Sequence, residues 1–151
     1  MDAHVVTVLL DRVQTHPEKP AFEYLRSNGE SAGILSYGEL LIQATAIAAY
    51  LQQVFSPGER LVLLFPPGLD FITCFFGCLL GGMVPVPLAP PSRHGALGLE
   101  LVVTNAAAGG ILGVGPQLER WHLAVKCNPR IAEVPWIRVD KVDSQLAASW
   151  H

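Results

Sequence analysis

Cys74 and Cys78 stand four residues apart in the uncharged run FITCFFGCLLGGMV, Phe71 to Val84. On a helix that spacing sets two thiols on one face. There they could pair or supply part of a metal site; in apolar surroundings the plainer reading is two small buried hydrophobes. Cys127 stands apart, so the three cysteines form no disulfide framework, and a reducing, cytoplasmic compartment is expected. His4, His16, His94, His122 and His151 are scattered, none at ligand spacing from another histidine or a cysteine, so no metal site is assigned. Gly109-Gly110-Ile111-Leu112-Gly113-Val114-Gly115-Pro116 is the glycine-rich strand-to-helix turn of the chain. A phosphate loop here would aim backbone N–H groups at an anion lying on a helix start. The run matches neither GxGxxG nor GxxxxGK followed by Ser or Thr, and Pro116 removes a donor, so an ordinary connection is expected. Ser92 and Ser149 lie in no nucleophile elbow. Asp140 and Asp143 could sit near one another, although carboxylates this close to a chain end are usually solvated. Arg93, after Pro90-Pro91, could meet a carboxylate or phosphate, or simply lie in solvent. No catalytic, cofactor-binding or metal-binding residue is assigned.

The elements that would carry these side chains follow from periodicity. Val6, Leu9, Leu10 and Val13 mark one stripe of an amphipathic helix, ended by His16-Pro17. Ala21 to Leu25 and Gly33 to Leu35 flank Asn28-Gly29, a hairpin-turn signal. Ser36 with Glu39 is a capping box, and Leu40, Ala44, Ile47 and Leu51 continue as a core-facing stripe to about Val54. RLVLLF, Arg60 to Phe65, reads as a strand buried on both faces of a parallel sheet. A helix over Leu69 to Leu80 follows, then Val84 to Pro87, whose two prolines demand a short or edge strand. Ala96–Ala107 reads as a helix, Gly110–Val114 as a strand, Pro116–Lys126 as a helix and Val134–Val139 as a last strand, while the tail DSQLAASWH gives no signal. The fold class is α/β: a partial, open, mainly parallel sheet with flanking helices and a small N-terminal hairpin.

Composition bounds the function. Half of the residues are hydrophobic and 15% are charged, against about 25% charged in soluble domains. Net charge is −3 and no Lys/Arg run occurs, so nucleic acid is not an expected partner. Asp2 stands where a signal peptide needs positive charge. The uncharged run is about 14 residues long, where a transmembrane helix needs about 20. A buried core helix is therefore expected, and a membrane-associated chain is the minor alternative.

Two segments resemble a known family. Leu35-Ser36-Tyr37-Gly38-Glu39-Leu40 is similar to the first core motif of the adenylate-forming superfamily, L-T/S-Y-x-E-L, and LLGGMVPVP, Leu79 to Pro87, to the second, L-x-A-G-x-x-x-V-P. LVLLFPPGLDFITCFFGCLLGGMVPVPLAPP, Leu61 to Pro91, resembles the fatty acyl-AMP ligase branch in particular. The resemblance implies an enzyme that joins a fatty acid to AMP with ATP and Mg²⁺, releases pyrophosphate, and passes the acyl group to the phosphopantetheine thiol of an acyl carrier protein. The family's Ser/Thr/Gly-rich nucleotide loop, its later adenine, ribose and hinge motifs and its catalytic lysine do not occur in this sequence. Residues 1–151 are therefore expected to be an incomplete N-terminal part of an AMP-binding (adenylation) domain, inactive alone and binding no cofactor alone. Its expected partner is the downstream remainder of the ligase, which would cover apolar faces left here. The alternative is a stand-alone, non-catalytic module that docks onto a ligase or carrier protein.

Overall fold

A computed structural model describes residues 4–90 and 96–151. Four layers stack in it. The central layer is a parallel sheet in the order β4-β3-β5-β6, built from β3 (Arg60–Leu64), β4 (Val84–Leu88), β5 (Gly110–Gly113) and β6 (Trp136–Arg138). Leu61 to Leu64 are fully buried. Leu61, Leu63 and Phe65 pack toward α2 (Tyr37–Val54) and α3 (Leu69–Leu80), while Val62 and Leu64 pack toward α4 (Ala96–Ala106) and α5 (Gly115–Val125). An apolar run without alternation is what a strand covered on both faces requires.

β4 is an edge strand. Its Val84 N–H donates to the Glu59 carbonyl at 2.8 Å, which fixes the phase of the pairing. In a parallel ladder alternate residues face the neighbour, so Val86 and Leu88 also face β3, and Pro85 and Pro87 place their donor-less nitrogens on the free edge.

The remaining layer packs on the outer side of α2 and α3. It is the antiparallel hairpin of β1 (Pro20–Leu25) and β2 (Ser31–Ser36), with α1 (Val5–Thr15) beside it. Gly29, with φ at +84°, makes the hairpin turn. The capping box is formed: Ser36 Oγ accepts the Glu39 N–H at 3.2 Å and Glu39 Oε2 accepts the Ser36 N–H at 2.9 Å. Those hydrogen bonds from Ser36 hold the Glu39 carboxyl below its ordinary range.

Phe71 to Leu80 of the uncharged run lie in the twelve-residue helix Leu69–Leu80, with Thr73, Cys74, Phe76, Gly77, Cys78 and Leu80 buried, and Val84 opens β4. Among the described residues no helix is long and apolar enough to cross a membrane. Gly77 lets α3 press against α2, because a Cβ there would sit 2.7 Å from Ile47 Cγ2 and 3.2 Å from the Ala44 carbonyl.

Three features differ from the sequence expectation, the first being that the last strand stops at Arg138 and a 3₁₀ turn, Val139–Lys141, takes over. A one-turn helix, α6 (Pro129–Ala132), follows α5, its Pro129 and the Asn128 cap fixing it. The tail without signal forms a 3₁₀ helix, Ser144–Ser149, that lies along α2. Its hydrogen bonds reach residues 70 and 99 positions away in sequence, beyond any local pattern.

Candidate functional site at the carboxyl ends of the strands

α3 covers one face of the sheet and α4 and α5 the other. The winding direction therefore reverses between β3 and β5. In open α/β sheets the crevice outside the carboxyl ends of the strands at such a switch point is where ligands bind. A cavity of about 150 Å³ opens there, walled by Gln43 and Ile47 of α2, Asp70 and Thr73 of α3, Val114 after β5, and Val139, Asp140 and Ser144 after β6. The Thr73 hydroxyl donates to the Leu69 carbonyl at 3.1 Å, one turn back in its own helix.

Asp140 is the best-connected polar group of the crevice. Its Oδ1 accepts the Gly115 N–H at 3.1 Å, at the start of α5, and Arg138 Nε at 3.2 Å; its Oδ2 accepts Arg138 Nη2 at 2.5 Å. Arg138 Nη1 reaches Glu119 Oε1 at 2.7 Å. The guanidinium holds the Asp140 and Glu119 carboxyls below their ordinary range, and hydrogen bonds from Asp140 and then Glu119 push the Arg138 guanidinium up. Asp140 therefore engages an arginine and a helix start. Asp143 serves separately, accepting the Gln145 N–H at 2.9 Å to cap the 3₁₀ helix.

The glycine-rich turn is shaped by packing. A Cβ on Gly110 would lie 2.7 Å from Phe55 Cζ, and one on Gly113 2.6 Å from Leu118 Cδ1 and 2.8 Å from the Leu64 carbonyl. An anion arriving at α5 meets Asp140, with Asp70 on the far wall of the crevice. Two carboxylates on the crevice oppose the charge of a nucleotide phosphate.

The other singled-out side chains do not converge. Cys74 and Cys78 are buried free thiols and Cys127 is exposed; burial pushes the Cys74 thiol up. His122 stacks on Trp136 with centroids 4.7 Å apart and planes 9° from parallel. His16 Nδ1 lies 2.9 Å from Thr15 Oγ1, His4 is exposed, and the His151 carbonyl accepts Gln52 Nε2. Ser149 Oγ donates to the Leu146 carbonyl at 2.7 Å. Ser92, Arg93 and His94 lie outside the described residues. Among the described residues no three His, Cys, Asp or Glu side chains gather as a metal site. Sequence reasoning missed the Arg138–Asp140–Glu119 network. Its signal was present: an arginine and an aspartate two residues apart at the end of the last strand.

Fold and crevice define an open, doubly wound α/β scaffold. A family model described as AMP-binding enzyme matches residues 9–148, and the chain belongs to that family. It is 30% identical to the medium-chain-fatty-acid–[acyl-carrier-protein] ligase JamA of Moorena producens, over 97% of this chain and 26% of the relative. It is 33% identical to the long-chain-fatty-acid–AMP ligase FadD32 of Mycolicibacterium smegmatis, over 88% of this chain and 22% of the relative. It superposes on the crystal structure of a fatty acid AMP ligase from Legionella pneumophila with a TM-score of 0.82 and 30% identity, covering 97% of this chain and 25% of that one. The chain spans about a quarter of the length of these relatives.

Proposed function

We propose that this chain is the N-terminal scaffold of an adenylation domain that activates a fatty acid with ATP to acyl-AMP for transfer to an acyl carrier protein. The 151-residue chain alone does not catalyse that reaction. The observation that carries the reading is the match along 97% of the chain, in sequence and in fold, to a fatty acid AMP ligase four times its length. JamA, whose name includes the carrier protein, supports that acceptor. A carboxylate is a poor electrophile, and adenylation gives it a good leaving group. The groups that offset phosphate charge in that reaction are cations, whereas the crevice here presents Asp70 and a paired Asp140. This chain's residues contribute shape: the capped α2, the close α2–α3 contact at Gly77 and the rigid Val84–Pro87 edge. Three unpaired cysteines fit a reducing cytoplasm.

The test is pyrophosphate release with ATP, Mg²⁺ and C8 to C16 fatty acids. It is run on the isolated chain and on the native product captured from the source cell by an antibody to this segment. A silent isolated chain and an active native product, several times larger than 16.3 kDa, are expected. Turnover by the isolated chain refutes the claim of inactivity. A native product of 16.3 kDa that co-purifies with a separate ligase refutes the scaffold-in-one-chain reading in favour of a docking module.

A further inference from the structure

α3 carries a pair of thiols that the proposed function does not use. Cys74 and Cys78 have no solvent exposure and share one apolar cluster with Met83, Leu61 and Leu63. They stand one turn apart on the helix. Burial first, and the hydrogen bond with the Cys78 thiol second, push the Cys74 thiol up. Met83 brings a third sulfur to the cluster, and its N–H donates to the Cys78 carbonyl at 2.8 Å.

Helix geometry decides what the pair can do. Cβ atoms four residues apart on a helix lie about 5–6 Å apart, whereas a disulfide closes over about 3.5–4.5 Å. Forming one would distort α3 where Gly77 holds it against α2. An ion between the sulfurs suits the wider gap: metal–sulfur bonds of about 2.3 Å set two sulfurs up to about 4.6 Å apart.

Ligand number and charge then choose the ion. Among the described residues no three His, Cys, Asp or Glu side chains gather, so the four donors of a structural zinc site are not supplied by them. Thiolate and thioether sulfurs favour copper(I). The cluster is apolar, and an uncompensated charge there is costly. Copper(I) avoids that cost. One S–H bond breaks, one Cu–S bond forms, the proton leaves to solvent, and the other sulfurs donate as neutral groups. Copper stays monovalent, no electron moves, and the site carries no net charge. Asp70, one turn before Cys74, lines the crevice with Thr73 and offers an arriving cation its first contact.

We propose that Cys74 and Cys78, with Met83 beside them, form a buried sulfur site for one copper(I) ion, entered from the crevice at Asp70.

The 151-residue chain is tested in a Cys127→Ser background, which removes the exposed thiol. Copper(I), kept reduced by ascorbate, is titrated in competition with the chelator bathocuproine disulfonate. One ion per chain is expected, with one proton released, only sulfur neighbours in copper-edge X-ray absorption, and a raised thermal midpoint. Cys74→Ala and Cys78→Ala each lose the ion to the chelator, and their midpoints stop responding to copper, with folding checked by circular dichroism. Asp70→Asn, at an exposed position that tests the site without touching the core, slows uptake and leaves the stoichiometry unchanged. A folded parent chain that leaves copper with the chelator, holds it through nitrogen or oxygen, or releases two protons overturns the proposal. So does binding that survives either alanine variant or appears only in urea, and uptake indifferent to Asp70→Asn overturns the entry route.

Discussion

Gly77 and Gly98 both lie within helices, and replacing each with alanine should move stability in opposite directions. Intrinsic helix propensity favours alanine by about 0.8–1.0 kcal/mol at either position. At Gly98 no described residue lies within 4 Å of a new Cβ, so most of that gain is expected, about 0.5–1 kcal/mol given its place in the first turn of α4. At Gly77 the new Cβ would lie 2.7 Å from Ile47 Cγ2 and 2.8 Å from Ile47 Cβ. Ile47 is β-branched and buried, so it has one helical rotamer and no room to turn. Relief must come from separating α2 and α3, and overpacking of this kind costs about 1–3 kcal/mol. The net for Gly77→Ala is a loss of up to about 2 kcal/mol. Urea midpoints followed by circular dichroism measure both changes. The cycle is completed in an Ile47→Ala background, where the Cγ2 contact is gone but the 2.8 Å approach to the Cβ of residue 47 remains, so the loss from Gly77→Ala shrinks without vanishing. A Gly77→Ala variant that gains stability as Gly98→Ala does, in the parent chain, would refute the reasoning that glycine is there for helix approach.

Other perturbations give equally definite outcomes. Ser36→Ala removes half of the capping box and lowers unfolding free energy by about 0.5–2 kcal/mol, read from the urea midpoint. Trp150→Phe keeps the ring, loses the donor to Leu80 and costs about 0.5–1.5 kcal/mol by the same assay. Leu63→Ala, at a fully buried position of β3, costs about 2–5 kcal/mol. The carboxyls of Glu39, Glu119 and Asp140 are held below their ordinary values in the folded chain, so between the folded and unfolded pKa the unfolded state binds more protons. Their contribution is fully present above a pH of about 4 and is lost as pH falls through the folded values. Thermal melts from pH 6 downward should show that decline, and Asp140→Asn should make it shallower.

Most of the scaffold was legible because its determinants are local. The α3 boundaries follow from Pro66-Pro67-Gly68 before and Gly81-Gly82 after an unbroken apolar run, and the structure gives Leu69–Leu80. Ser36 and Glu39 announce α2, and the prolines of Val84–Leu88 announce an edge. The tail was illegible for the opposite reason. A short 3₁₀ turn has no apolar period, and its place is set by Trp150 and Gln52 reaching across the fold. The crevice was half legible. Asp140 and Arg138 could be seen as charged neighbours of a strand end, but their pairing with Gly115 and Glu119 depends on how α5 returns beside β6.

Family membership is carried in this chain by scaffold residues, and the reason is physical. A parallel sheet is stable only when both faces are covered. Here α2 and α3 cover one face and α4 and α5 the other, all from within residues 37–125, while Pro85 and Pro87 close the β4 edge to strand addition. Scaffold of that kind is specified by apolar residues and prolines, and the fold matches a fatty acid AMP ligase at 30% identity. Activation of a carboxylate by ATP asks for something else: cations and convergent donors at the place where phosphate charge sits. At the switch-point crevice the convergent donor, the Gly115 N–H, already meets the Asp140 carboxylate, and the nearest guanidinium is shared between that carboxylate and Glu119. An anion brought there would displace Asp140 from both partners before gaining either. Under the proposed function the chain contributes position to a ligase, and the charge that drives the reaction comes from residues outside these 151.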